Sequence, residues 1–172
     1  RAPDRRLHRR REGAGGPLVS ASALLEVADL RVRFPTPRGG HVHAVDGVSF
    51  SLAPGRTLGI VGESGSGKSV TSLAIMGLLP KRSAVIEGSV RFEDRDLLGA
   101  PDATLRDLRG DRMAMIFQEP MTSLNPAHRI GDQIAESVIR HRGASAAAAM
   151  ERAVEMLRRV GIPEPAARAR EY

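Results

Sequence analysis

The chain has 172 residues, 41% of them hydrophobic but only 3% aromatic, and a formal net charge of +6. That is enough for one domain with an aliphatic core. The sequence holds no Cys, which excludes disulfides, thiol catalysis and Cys-ligated metals within it, and no apolar run approaches the roughly 18 residues of a membrane span.

The charge is concentrated at the start. Arg1, Arg5, Arg6, Arg9, Arg10 and Arg11 stand against Asp4 and Glu12, a net of +4, which leaves +2 for the remainder. Such an arm could touch anionic lipid or nucleic acid. Its composition, running on through Gly13-Ala14-Gly15-Gly16-Pro17, reads instead as a disordered basic leader over residues 1–23. It has no apolar segment of the kind a secretory signal needs, and no nucleic-acid partner is expected.

Order is expected from Leu24. Leu25-Glu26-Val27 and Leu30-Arg31-Val32-Arg33-Phe34 alternate as a half-buried strand does. Pro35 to Gly40 is a loop. Val42 to Leu52 is a second strand region, with a turn or bulge at Asp46-Gly47, and Pro54-Gly55 is a tight turn. Thr57-Leu58-Gly59-Ile60-Val61 is a short apolar run that reads as a buried parallel strand. Ser69 to Leu79 reads as a helix stopped by Pro80. Ile86 to Phe92 is a further strand, Asp102 to Arg109 a short helix, and Met113-Ala114-Met115-Ile116-Phe117 a second core strand. Glu119 to Pro126 is a loop. Ile130, Ile134 and Val138 begin a helical stripe, and Ser145 to Val160 is an Ala-rich helix ended by Gly161-Ile162-Pro163.

Between the expected strand 57–61 and the helix after it lies Gly62-Glu63-Ser64-Gly65-Ser66-Gly67-Lys68-Ser69. This fits G-x-x-x-x-G-K-[ST], the phosphate-binding loop of nucleotide triphosphatases. Glycines let the backbone curl so that successive N–H groups approach an anion. Lys68 would place a compact positive charge at the β- and γ-phosphates, the Ser69 hydroxyl could coordinate Mg²⁺, and the helix start turns its positive dipole end toward the same phosphates. Strand, loop and helix occur in the order the motif requires. The element order predicts an α/β fold: a partial P-loop NTPase core with an antiparallel β subdomain and an α-helical subdomain from about residue 127 to 172.

Two stretches together resemble the ATP-binding subunits of ABC transporters. One is Ala44-Val45-Asp46-Gly47-Val48-Ser49-Phe50 followed by Pro54-Gly55, Leu58-Gly59-Ile60-Val61 and the phosphate loop. The other is Ile116-Phe117-Gln118-Glu119-Pro120-Met121-Thr122-Ser123-Leu124-Asn125-Pro126, whose wording is similar to the importers of oligopeptides, dipeptides and nickel. The resemblance spans about Leu24 to Tyr172. It implies ATP and Mg²⁺ as ligands, held by Gly62, Glu63, Ser64, Gly65, Ser66, Gly67, Lys68, Ser69 and Val70. It implies Lys68 and Gln118 as catalytic residues, Ser69 and Gln118 as the metal's protein contacts, and Phe34 as an aromatic stacked on adenine. Gln118 would belong to a loop that touches membrane-embedded permease subunits, coupling phosphate status to their conformation. A second ATP-binding subunit and a place on the cytoplasmic face of the inner membrane are implied as well.

The signature motif of that family, the aspartate of its second phosphate-site strand, its catalytic glutamate and its switch histidine are not found in the 172 residues; His128 and His141 do not fit the last. The resemblance therefore covers an N-terminal portion, expected to leave apolar sheet edges open and to be inactive in hydrolysis alone. A non-catalytic nucleotide-binding relic and a stand-alone P-loop kinase are the alternatives. A kinase would need an acceptor site and an Arg-rich lid, neither of which is evident.

Overall fold

The computed structural model describes residues 23–118 and 123–172, so all but the last residue of the expected leader 1–23 and the loop residues 119–122 lie outside what it describes. Two long strands come first, β1 (Leu25–Pro35) and β2 (His41–Leu52), joined by a turn closed by the Thr36 N–H to the Gly40 carbonyl at 3.0 Å. β3 (Val85–Phe92) and the two-residue β4 (Arg95–Asp96) complete a sheet of order β2-β1-β3-β4, antiparallel throughout.

The inward face of β1 is set by a bulge. Val27 and Leu30 are both buried although three positions apart, because the register slips between them and Asp29 takes φ 46°. The opposing strand accommodates this only with Gly88, where a Cβ would lie 2.5 Å from the Asp29 carbonyl oxygen. Exposed Arg31 crosses the bulge, donating to Asp29 at 2.9 Å and Asp46 at 2.6 Å.

Val27, Leu30, Val32, Val45, Val90 and Phe92 form the sheet's share of the core. Two helices add to it, α1 (Lys68–Ile75) through Ala74 and α2 (Asp102–Leu108) through Leu105 and Leu108, and Met76, Leu97 and Met113 join from the connecting segments. Lys81 bonds Asp102 in the first turn of α2 at 2.7 Å and holds that carboxyl below the usual carboxylate range. A second, smaller cluster lies between α3 (Ile130–Arg142) and α4 (Ala146–Arg159), built on Ala135, Ala149 and Ala153. Small residues let these two helices approach closely. Ser145 caps α4, its Oγ accepting the Ala148 N–H at 3.3 Å. A short α5 (Pro165–Arg168), not foreseen in the sequence, brings the chain back to the start of α3.

Three sequence expectations are corrected. Residues 57–61 and 113–117 do not form strands: apart from an isolated bridge between Arg109 and Met113, neither run pairs with any described residue. Apolar character is present in both runs, but a strand needs a neighbour's peptide groups, and the four strands that form pair only among themselves. Val61 is 94% exposed and Ile116 98%. The third correction concerns α1, which ends at Ile75 rather than Leu79. Gly77, at φ 62°, turns the chain, its N–H bonding the Ala74 carbonyl and the Leu78 N–H the Leu73 carbonyl. That is a Schellman stop, reached before Pro80 can act.

Candidate nucleotide-binding site

The loop Gly62–Gly67 is shaped by close approaches. Gly67 sits at φ 91° with an added Cβ only 2.3 Å from the Ala44 carbonyl oxygen, so the end of the loop lies directly on β2. At Gly62 a Cβ would meet Ser66 Oγ at 2.7 Å, whereas Gly65, at φ 78°, faces open space. The Ser66 N–H closes the loop onto the Glu63 carbonyl at 3.2 Å.

Lys68 folds back over this loop. Its Nζ donates to the carbonyls of Gly62 and Glu63, both at 2.7 Å, and to Ser66 Oγ at 3.3 Å. An ammonium has three N–H bonds, so all are engaged, and the longest contact is the one an anion would most readily take over. At the start of α1 the N–H groups of Lys68, Ser69 and Val70 have no backbone acceptor among the described residues; the first helix-closing bond is from Thr71 to Gly67. No side chain caps this end. Open amides, a positive helix end and an ammonium at one place make a cradle for phosphate.

Beyond the cradle is a hollow of about 600 Å³ lined by Ile60, Lys68, Ser69, Ser72, Leu73, Met115, Ile116, Phe117 and Gln118. Lys68, Ser69 and Gln118, some fifty positions apart in the chain, thus border one space. Phe34 lies elsewhere: it is half-buried on β1 opposite Val42 and packs against the sheet's core. The Val70 side chain packs against that same core, and Val70 does not line the hollow. Ser64 is exposed on the loop. The residues fit a nucleotide's phosphates with a small divalent cation: hard oxygen from Ser69, backbone donors and one ammonium, with no soft ligand.

Two residues that sequence reasoning did not single out make side-chain bonds to backbone, one at the far end of α1 and one outside the hollow. Arg109 closes the far end of α1, donating from Nε to the Met76 carbonyl at 2.7 Å and from Nη2 to the Gly77 carbonyl at 2.6 Å. Gln133, on α3, bonds the backbone of Asn125 and His128, just downstream of Gln118. Neither belongs to a local motif. Their partners are known only once the chain is folded.

A family model described as ABC transporter matches residues 45–171. The chain belongs to the ABC transporter family. It is 51% identical over 152 residues to the oligopeptide transport ATP-binding protein OppD of Salmonella typhimurium, covering 88% of this chain and 45% of that protein. It is 50% identical over 150 residues to the dipeptide transport ATP-binding protein DppD of Bacillus subtilis, covering 87% and 44%. The chain therefore spans a little under half the length of these relatives. Among solved structures it is similar to the dimeric post-hydrolysis state of the ATP-binding cassette MJ0796 bound to ADP and Pi, with a TM-score of 0.69 and 23% identity over 86% of this chain and 60% of that one. That likeness establishes the fold. The α/β P-loop architecture expected from the element order is the one this ABC family chain shares, although residues 57–61 and 113–117 are not strands here.

Proposed function

We propose that the chain is part of the ATP-binding, energy-coupling subunit of an ABC importer for oligopeptides or dipeptides. The observation that carries this reading is the phosphate cradle: uncapped amides at the start of α1 beside the Lys68 ammonium, opening on a hollow that Gln118 also borders. The resemblance in sequence to peptide-transport ATP-binding proteins supports the solute class.

On this reading Gly62 to Val70 bind the phosphates, Lys68 bridges the β- and γ-phosphates, and Ser69 and Gln118 hold Mg²⁺. Mg²⁺, when bound, neutralises charge developing on the transferred phosphoryl group. Gln118 orients the attacking water and reports to the permease through its loop. Phe34, half-buried on β1, is the aromatic that stacks on adenine. The working unit is a dimer of ATP-binding subunits, peripheral on the cytoplasmic face of the inner membrane and docked on permease subunits through the loop of Gln118 and the helices from about 127 to 172. Among the described residues no helix is long and apolar enough to cross a membrane, in keeping with a peripheral place. Hydrolysis belongs to the complete dimer, and residues 1–172 alone bind nucleotide only weakly and without turnover.

The test is MgATP binding by the full-length subunit. Lys68→Ala is expected to weaken it roughly ten- to hundredfold, the range for a lost charge-assisted contact. Equal affinity in the variant would defeat the reading.

A further inference from the structure

Downstream of Gln118 the residues Asn125–Arg129 form a turn. The His128 N–H donates to the Asn125 carbonyl at 3.1 Å, and Asn125 Oδ1 accepts the Ala127 N–H at 3.0 Å. One side chain on α3 grips this turn from both ends. Gln133 Oε1 accepts the Asn125 N–H at 2.8 Å, while its Nε2 donates to the carbonyls of Asn125 at 3.0 Å and His128 at 2.9 Å. A single primary amide thus uses its acceptor and both donor hydrogens on one short stretch of backbone.

The same first turn of α3 is held on another side. The N–H groups of Ile130 and Gly131 donate to the carbonyls of Glu171 and Ala169 at 2.9 and 2.8 Å. Gly131 admits no side chain there, since a Cβ would meet the Ala169 oxygen at 2.7 Å. α3 is therefore fixed to the chain behind Gln118 and to the chain around residue 170 at once. The bonds to Gln133 are exposed, so water can replace them without unfolding the protein. What would be lost is rigidity.

We propose that Gln133 is a positioning residue that makes the Asn125–Arg129 turn and α3 one rigid unit, so that a movement of that turn is delivered to α3 as a whole. This rests on the function proposed above. Gln133 does not border the hollow, so its effect falls on coupling and leaves nucleotide affinity alone.

The experiment uses the full-length subunit assembled with its permease in proteoliposomes, measuring MgATP affinity, phosphate release and peptide uptake. Gln133→Ala removes the grip. Gln133→Glu keeps the side-chain size but sets an anionic oxygen against the Asn125 and His128 carbonyls. Both are expected to lower peptide taken up per phosphate released by roughly three- to thirtyfold, the span seen for side chains along a coupling route, with MgATP affinity unchanged. An unchanged ratio in both variants overturns the proposal. So does a fall in MgATP affinity that parallels the fall in uptake, which would report general loosening. A wild-type complex that fails to bind MgATP overturns the functional reading and this proposal together, whereas a normal wild type with normal variants sinks this proposal alone.

Discussion

At the scale of single residues, the phosphate loop depends on one glycine for two separate reasons. Gly67 lies at φ 91°, where an L side chain is strained, and its missing Cβ leaves space that the Ala44 carbonyl fills at 2.3 Å. Gly65 has a similar backbone at φ 78° but open surroundings. The two positions separate strain from collision. Gly65→Ala is expected to cost about 1 kcal/mol, the strain alone. Gly67→Ala must also push the loop off β2 and is expected to cost about 3 kcal/mol or more and to weaken MgATP binding much further. Denaturant unfolding of the two variants side by side checks the order. Equal costs would mean that the contact with Ala44 is not what fixes the loop. This part of the site was legible in the sequence because it is local: eight consecutive residues carry both the bonding groups and the freedom to curl. Phe34 was not legible in that way. An aromatic on a strand suits a sheet core as well as it suits a base, and the fold places it against the core.

At the scale of elements, α1 is clamped at one end by its Schellman turn and by Arg109. The guanidinium reaches two carbonyls at the helix C-terminus, Met76 and Gly77, from a position just past α2. A cation there satisfies orphan acceptors and complements the helix dipole. It also ties the helix that begins with Lys68 to α2, which rests on the same core through Leu105 and Leu108. Arg109→Ala is expected to destabilise the protein by about 1.5–3 kcal/mol, the range for hydrogen bonds to a charged group, while Arg109→Lys recovers part of that, having one donor site in place of a fork. Thermal unfolding of both variants is the measurement, and an alanine variant as stable as the parent would remove Arg109 from this role. The pattern explains what sequence reading captured and what it missed. β1, β2, β3 and α2 to α4 were recognisable from periodicity, because alternation and helical stripes are properties of neighbours in the chain. The stop of α1 was assigned to Pro80 when the operative residue is Gly77, whose left-handed conformation pattern matching does not reveal. Arg109 and Gln133 act on partners that only folding brings near, and no periodicity marks them.

At the scale of the molecule, the two apolar runs that flank the hollow are the exception to an otherwise consistent fold. Leu58, Ile60 and Val61 before the phosphate loop, and Ile116 and Phe117 before Gln118, are exposed large hydrophobics. Their backbones have no strand partner among the described residues. A parallel sheet is buried on both faces and reads as continuous apolar runs, which is why both segments looked like core strands. The runs have that composition without the neighbours. Relatives are more than twice as long as the matched stretch. Taken alone, the described residues carry unpaired backbone beside exposed apolar side chains in these two runs, the condition that promotes edge-to-edge association. The chain expressed by itself is therefore expected to self-associate and to bind a dye that reports exposed apolar surface. A lysine at one position in each run, Val61→Lys with Ile116→Lys, should reduce both effects, since a charge on an edge opposes pairing. Sedimentation velocity and dye fluorescence over a concentration series measure this. A monomeric parent chain without dye binding would mean that these runs are covered in solution, and that the sheet closes in a way its pairing does not display.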